Sequence, residues 1–297
     1  MSFTAKVKSE LANLDFPSQE CSRSFVYGFL LYGKSFSSRS VSCTTDYADV
    51  MATFENSIAQ TVNVPVAVSR LKCGKYVLKI PASADRRKII EYFDHSVNAV
   101  SLRINRGMLD ADESYGTFLR GVFLSCGSIA NPDKNYHMEF VVPYLNLSLD
   151  LLKILTDYGF KAKHIVRKYS HVIYLKDSES IEDMLTFMGA VNSSLELMGI
   201  KIQKNVRNKI NRQMNFESAN MSRSIEAGLA QVEAIEIIEK KQGLDSLSDE
   251  LKEVAILRRE NPDMSLKQLG ENLSVPISRS GVNHRLMKII EIADKYR

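Results

Sequence analysis

Long apolar runs are missing from this chain of 297 residues. None approaches the ~18 residues needed to cross a bilayer, so no membrane span is expected. The opening residues, MSFTAKVKSELANLDF, lack the apolar stretch of a secretory signal and read as a short amphipathic helix. Cysteine is sparse as well. Cys21, Cys43, Cys73 and Cys126 are scattered with no C-x-x-C pair, as expected of buried or half-buried free thiols in a reducing cytoplasm. The five histidines form no H-x₃-H or H-E-x-x-H set, so neither a metal ion nor another cofactor is expected. Excess charge is also scarce. At a net +4, affinity for nucleic acid has to come from where the charge sits.

What is present is the composition of an ordinary globular protein, on a length that favours two domains. Residues 28–35, GFLLYGKS, fit the phosphate-binding pattern G-x-x-x-x-G-K-[ST]. A genuine loop of that kind follows a strand, opens a helix and keeps its variable positions small. Here those positions are Phe29, Leu30, Leu31 and Tyr32, and the expected order is helix, then strand. Nucleotide binding and ATPase activity are therefore not expected.

The stretch is better explained as one copy of a repeat. FVYGFLLYGKSF (25–36) and FLRGVFLSCGSI (118–129) align with an offset of 93, which pairs Phe25 with Phe118, Gly28 with Gly121, Leu31 with Leu124 and Ser35 with Ser128. The segments after the two copies also run in parallel. In the first half, expected elements are a strand (39–44), a helix near 46–61, the strands VPVAVSR and KYVLKIP, and a closing helix SADRRKIIEYF. In the second they are HMEFVVP, a helix near 146–158, KAKHIVRK, HVIYLKD and SESIEDMLTFM. Each half reads α-β-β-α-β-β-α, and such a unit must bury its sheet face, with its sister as the natural partner. A mid-helix glycine costs about 1 kcal/mol, so its recurrence points to two helices packed closely at a pseudo-twofold axis.

Both glycine-bearing helices resemble the LAGLIDADG helix of homing endonucleases. In that family an acidic residue next to last in the motif holds the divalent metal that activates water. Gly33 and Cys126 stand at that position here, and neither offers the carboxylate oxygen a hard cation requires. Residues 105–113, NRGMLDADE, match the motif more literally, with Asp112 at the metal position. However, DADES reads as the acidic first turn of the following helix, and the stretch has no counterpart in the first half. No metal and no catalytic residue is therefore expected. An active metal-dependent DNA endonuclease of the homing type is the alternative.

From about residue 191 the character changes. Lys201, Lys204, Arg207, Lys209 and Arg212 follow one another with no acid between Glu196 and Glu217. Two readings stand open, the solvated face of a linker helix or a segment that contacts phosphates. Residues 224–241 then carry the apolar stripe Ile225, Leu229, Val232, Ile235 and Ile237/Ile238. A second helix follows in LSDELKEVAILRREN. Ser265-x-x-Gln268 forms a capping box for a short helix, and a last helix starts near Ser278 or Ser280. Its inward residues are Val282, Leu286, Ile289, Ile290 and Ala293. Facing outward are Arg279, Asn283, Arg285 and Lys288, with His284 nearby. That is the helix-turn-helix plan, in which arginine grips guanine and asparagine adenine. An ordinary helical bundle fits the same pattern.

The run LRRENPDMSLKQLGENLSVPISRSGVNHRLMKIIEIA (257–293) closely resembles the C-terminal signature of the WhiA family, with SGVNHRL its most specific piece. FLRGVFLSCGSIANPDKNYHMEF and VIYLKDSESIEDMLTFMGA are similar to the same family, so the likeness covers nearly the whole chain. It implies an α+β protein in which a duplicated, degenerate LAGLIDADG-like domain is joined to an all-α helix-turn-helix domain. The expected divisions are 1–100 and 101–198 for the two halves, 199–222 for a basic linker and 223–297 for the helix-turn-helix domain. It further implies a bacterial, non-enzymatic, sequence-specific DNA-binding regulator of transcription, acting in sporulation or cell division, cytoplasmic and nucleoid-associated. The expected partner is double-stranded DNA, with a sigma factor of RNA polymerase as a further partner in some members. No membrane and no small-molecule substrate is expected. The DNA-contacting set is Ser278, Arg279, Ser280, Asn283, His284, Arg285 and Lys288, together with Lys201, Lys204, Arg207, Lys209 and Arg212.

Overall fold

Two apolar helices bearing a central glycine lie at the middle of the first unit. They are α2 (Gln19–Leu31) and α5 (Asp112–Cys126). A Cβ added to Gly28 would strike the Phe118 carbonyl oxygen, and one added to Gly121 would strike that of Phe25. The two backbones thus touch reciprocally, which is why the glycines recur at this spacing. In the computed structural model, which describes residues 1–97 and 101–297, each helix opens one copy of the repeat.

The first copy continues with β1 (Ser35–Phe36), β2 (Val41–Thr45), α3 (Ala48–Thr61), β3 (Ala67–Arg70), β4 (Tyr76–Lys79) and α4 (Ser83–Tyr92). The second continues with β5 (Gly127–Ile129), β6 (Met138–Val142), α6 (Leu145–Asp157), β7 (Lys163–Arg167), β8 (Ser170–Leu175) and α7 (Ser178–Met188). Each copy forms a four-stranded antiparallel sheet of identical order, β1-β2-β4-β3 and β5-β6-β8-β7. The α-β-β-α-β-β-α reading holds in both halves. Alternation decides which residues face the core: Cys43 pairs with Leu78, and Phe140 with Ile173, all fully buried. The phosphate-loop pattern falls where α2 ends and β1 begins, helix before strand, with Gly28 inside the helix.

One further helix, α1 (Phe3–Ala12), sits against α3 and α5. Ser2 caps it by accepting from Ala5 N (3.2 Å), and the Thr4 hydroxyl both donates to Ile129 O (2.6 Å) and accepts from Ile129 N (3.0 Å). The N-terminal helix is thereby fastened to the second copy's sheet. Cys21 and Cys43 are buried and Cys126 half-buried, but Cys73 is exposed in the turn before β4, a correction to the expectation of covered thiols. Among the described residues no helix is long and apolar enough to cross a membrane.

The chain divides into two units, Met1–Lys204 and Asn205–Arg297, and the division falls inside a long helix, α8 (Val191–Lys241). The second unit adds α9 (Asp249–Glu260), α10 (Leu266–Glu271) and α11 (Arg279–Ala293). Its core draws on Ala234, Ile235 and Ile238 of α8, Val254 and Ala255 of α9, Leu269 and Leu273, and Val282, Leu286, Ile289 and Ala293 of α11. The apolar stripe of α8 is only partly buried. Ile235 and Ile238 enter the core, while Ile225 and Leu229 are 54% and 63% exposed. Within the second unit the first buried residue of α8 is Gly228, where the absent side chain lets the Pro262 carbonyl lie 3.2 Å from the Cβ position. Met221, Ile225 and Leu229 line an open cleft with Arg258, Pro262 and Met264.

The α2–α5 contact leaves no room for a methyl group. Alanine at Gly28 or Gly121 is expected to destabilise the first unit by roughly 1–3 kcal/mol and leucine by more, as overpacking does. Thermal unfolding of each variant checks this. Unchanged melting temperatures would mean that the helices do not meet at these glycines.

Candidate nucleic-acid interface

Hydrogen bonds decide where α10 and α11 begin. Ser265 Oγ accepts from Gln268 N (3.3 Å) while Gln268 Oε1 accepts from Ser265 N (3.1 Å), so the capping box is complete. Ser278 caps α11, its hydroxyl accepting from Gly281 N (3.3 Å). Between the helices, Ile277 N donates to Gly270 O (3.1 Å), and a Cβ on Gly270 would strike Ile277 O. Only glycine admits that approach, which makes the turn tight. Two groups on α9 brace the segments on either side of α10. The Glu253 carboxylate accepts from the Ser274 amide and hydroxyl, and the Arg258 guanidinium donates to Pro262 O (3.0 Å) and Met264 O (2.7 Å). Burial lowers the Arg258 pKa, and the two bonds tie down the turn between α9 and α10.

The exposed side of α11 begins with Ser278, Arg279 and Ser280 and continues through Asn283, His284 and Lys288. At 3.6 residues per turn, Arg279, Ser280, Asn283 and His284 share one face. Arg285 does not. It projects from the opposite side of the helix, is largely covered, and pairs with Glu250 of α9 at 3.1 Å. Its charge therefore joins α11 to α9. A cleft of about 680 Å³ opens beside this exposed face of α11, lined among others by Asn220, Arg223, Ser265, Lys267, Arg279 and Asn283. Arg223 and Lys267 were missed by sequence reasoning. The signal available for Lys267 was its place in the first turn of the capped helix, next to backbone amides that favour an anion.

The five basic residues of the linker fall into two groups. Lys201 forms ion pairs with Glu182 (3.3 Å) and Glu179 (3.8 Å). Lys204 donates to Pro132 O (2.6 Å) and lies over the Tyr136 ring at 4.7 Å. Both are occupied within the first unit. Arg207, Lys209 and Arg212 are exposed on α8 and have no ion pair among the described residues.

A metal of the endonuclease type does not fit the first unit. A Cβ at Gly33 would lie 2.6 Å from Cys43 Sγ and 2.8 Å from Ser42 O, so the position has no space for a carboxylate. At the corresponding end of α5, burial pushes the Cys126 thiol up to about 12, and the nearby charge is the Lys8 ammonium from α1. Lys8 Nζ donates to Leu124 O (3.0 Å) and lies 5.7 Å from the centres of both the Phe123 and Tyr47 rings. A fixed cation beside the α5 C-terminus, where partial negative charge collects, is favourably placed against the helix end. Asp112 is the first residue of α5, about 21 Å along the helix from Cys126, and accepts from the Tyr158 hydroxyl (2.7 Å). Among the described residues no group of three or more His, Cys, Asp or Glu is placed to hold a metal ion.

Comparison with known proteins bears on both units. The model of the WhiA LAGLIDADG-like domain matches residues 115–207, and that of the WhiA C-terminal HTH domain matches residues 210–293. A protein of Clostridium perfringens named "Probable cell division protein WhiA" is 37% identical, over 100% of this chain and 99% of its own length. One of the same name from Staphylococcus haemolyticus is 36% identical, over 100% of this chain and 98% of its own. The crystal structure described as full-length WhiA from "Thermatoga maritima" superposes with a TM-score of 0.62 at 25% identity, covering 100% of this chain and 99% of that one.

The Lys8 geometry sets a pH dependence. Burial lowers its pKa from 10.5 to about 8. Between those values the unfolded chain keeps a proton that the folded chain has lost, so the contribution of Lys8 to stability rises with pH across the window. Cys126, pushed up to about 12, and Tyr32, raised well above its ordinary value by burial, stay protonated there. A Lys8→Met variant is expected to melt above the native chain near pH 7, with the gap closing toward pH 10. A gap independent of pH would contradict a buried ammonium at this place.

Proposed function

The chain belongs to the WhiA family, and on that premise we propose that it is a non-enzymatic, sequence-specific DNA-binding regulator of transcription. One observation carries this reading: the exposed face of α11, with Arg279 and Asn283 at its start, borders a cleft that also holds Arg223 and Lys267. In helix-turn-helix proteins the early residues of the second helix reach base edges in the major groove, while the flanking helix meets the backbone. Arg279 and Asn283 then read bases, with Ser278, Ser280, His284 and Lys288 around them. Lys267, Arg223, Arg207, Lys209 and Arg212 contact phosphates. Lys201, Lys204 and Arg285, engaged elsewhere in the protein, take no direct part.

The printed name of the relatives points the regulation to cell division, and the family likeness adds sporulation in lineages that form spores. A sigma factor of RNA polymerase is the proposed protein partner, and the nucleoid in the cytoplasm the place of action. The first unit acts as a folded support without hydrolytic chemistry. The crowded Gly33 and the covered Cys126 beside Lys8 favour this over an active nuclease.

Binding of a selected duplex and a random one, each measured at several salt concentrations, separates the roles. Asn283→Ala is expected to cost about 1–3 kcal/mol on the selected duplex and little on the random one. Replacing Arg207, Lys209 and Arg212 with glutamine should weaken both alike and lower the salt slope by about 0.9 per lost contact. Loss of discrimination in the α8 variants with none in Asn283→Ala would reverse the assignment. With Mg²⁺ present neither duplex should be cut, and nicking abolished by Asp112→Asn would refute the non-enzymatic reading.

A further inference from the structure

The cleft beside α11 gathers charge of one sign. Arg223, Arg258, Lys267 and Arg279 line it, and no carboxylate among the described residues does. Arg223, Arg258 and Arg279 form no ion pair among the described residues, and Lys267 has only the exposed pair with Glu271 one turn on, at 3.8 Å. A concave place walled by cations raises the local concentration of small anions. Its volume of about 680 Å³ lies in the range of small-molecule sites, ~300–1,000 Å³.

Two polar atoms of the cleft are unmet. Gln231 and Arg258 are its buried lining residues, 5% and 4% exposed, and so form its floor. Gln231 Oε1 has no donor and Arg258 Nε no acceptor, because the Arg258 bonds to Pro262 O and Met264 O run from Nη1. Buried polar groups are rarely left so without a partner. An occupant that meets both must bring an acceptor and a donor together, with negative charge for the cations around them. A phosphodiester offers acceptors only, which leaves Gln231 Oε1 unmet. A nucleobase finds no aromatic ring to stack on, and Ala227 and Leu266 are the sole apolar lining among the described residues. The amides of Asn220 and Asn283 and the hydroxyl of Ser224 suit a ligand rich in hydroxyl groups.

We propose that this cleft binds a small hydroxyl-bearing phosphate monoester, a compound of the sugar-phosphate class. Its phosphoryl oxygens lie among Arg223, Lys267 and Arg279. On the floor one of its hydroxyls donates to Gln231 Oε1, and one of its oxygens accepts from Arg258 Nε. Arg279 and Asn283 also begin the face assigned to base reading, so occupant and duplex exclude each other. That consequence rests on the DNA-binding reading, whereas the site itself does not.

Ribose 5-phosphate, inorganic phosphate, sulfate and ribose are each titrated into the full chain to about 10 mM at about pH 6, with binding followed by NMR of the amide and guanidinium N–H groups. At that pH inorganic phosphate keeps a P–O–H and carries less negative charge than sulfate, so a preference for phosphate reports the donor and not the charge. Ribose 5-phosphate is expected to saturate, with shifts at Gln231 and Arg258. Sulfate should bind at least tenfold more weakly than inorganic phosphate, and ribose not at all. Gln231→Met should bring phosphate down to the level of sulfate. Lys267→Gln, at an exposed position that folding does not depend on, should weaken both anions several-fold. No saturation by ribose 5-phosphate would overturn the proposal. So would sulfate bound as tightly as phosphate, the result expected if water meets Gln231, or binding indifferent to both variants. In a second arm ribose 5-phosphate should displace a selected duplex, against sodium chloride at equal ionic strength. A duplex that binds undisturbed beside the ligand would overturn the exclusion. Ligand binding by a chain that takes no duplex at all would support the site and refute the DNA-binding reading instead.

Discussion

The reciprocal contact of α2 and α5 is the constraint on which the first unit depends. Each helix offers a glycine to a backbone carbonyl of the other, so the axes come closer than side chains would allow. The flanking positions are consequently crowded with large apolar groups. Phe29 stacks on Phe54 at 3.9 Å, and Phe25 lies edge-on to Phe29 at 5.4 Å. Around this pair the two sheets adopt the same strand order, and the helix ends that would carry metal ligands in an endonuclease are brought together. Here that place is filled by a thiol, a glycine without space and a lysine supplied by α1. The contact that sets the frame and the positions that carry metal ligands in an endonuclease are different residues. The glycine contact stabilises the fold whatever stands at positions 33 and 126.

Much of this was legible in the sequence, for identifiable reasons. The repeat was visible because the same packing problem was solved twice with the same residue types at the same spacing. Helix α7 covers the expected SESIEDMLTFM, and the Ser265/Gln268 box forms both of its bonds, since capping is local chemistry. What could not be read was non-local. Lys8 meets Leu124 across 116 residues of sequence, and nothing around Lys8 marks it as a buried cation. Arg285 looked outward by composition, yet its ion pair with Glu250 depends on how α9 crosses α11. Ile225 and Leu229 have the periodicity of core residues and are exposed, because periodicity records an apolar face and not what covers it.

The second unit is built around a small, well-braced element. A six-residue helix, a turn that only glycine at 270 permits and a capped α11 are flanked by Arg258, which holds the segment before α10, and Glu253, which holds Ser274 after it. In the proposed reading, that rigidity lets Arg279 and Asn283 reach base edges without a further ordering cost, while the basic residues of α8 would act through counterion release that ignores sequence. On the same reading, affinity and discrimination fall on different helices and are separable by substitution.

The central claim, that DNA is read by α11 on a support without catalytic chemistry, is tested most directly by hydrogen exchange of the full chain with and without a selected duplex. The account predicts slowed exchange in the first turns of α10 and α11, and unchanged exchange at the Cys126 end of α5. Protection confined to the first unit, with α10 and α11 exchanging as in the free chain, would contradict it.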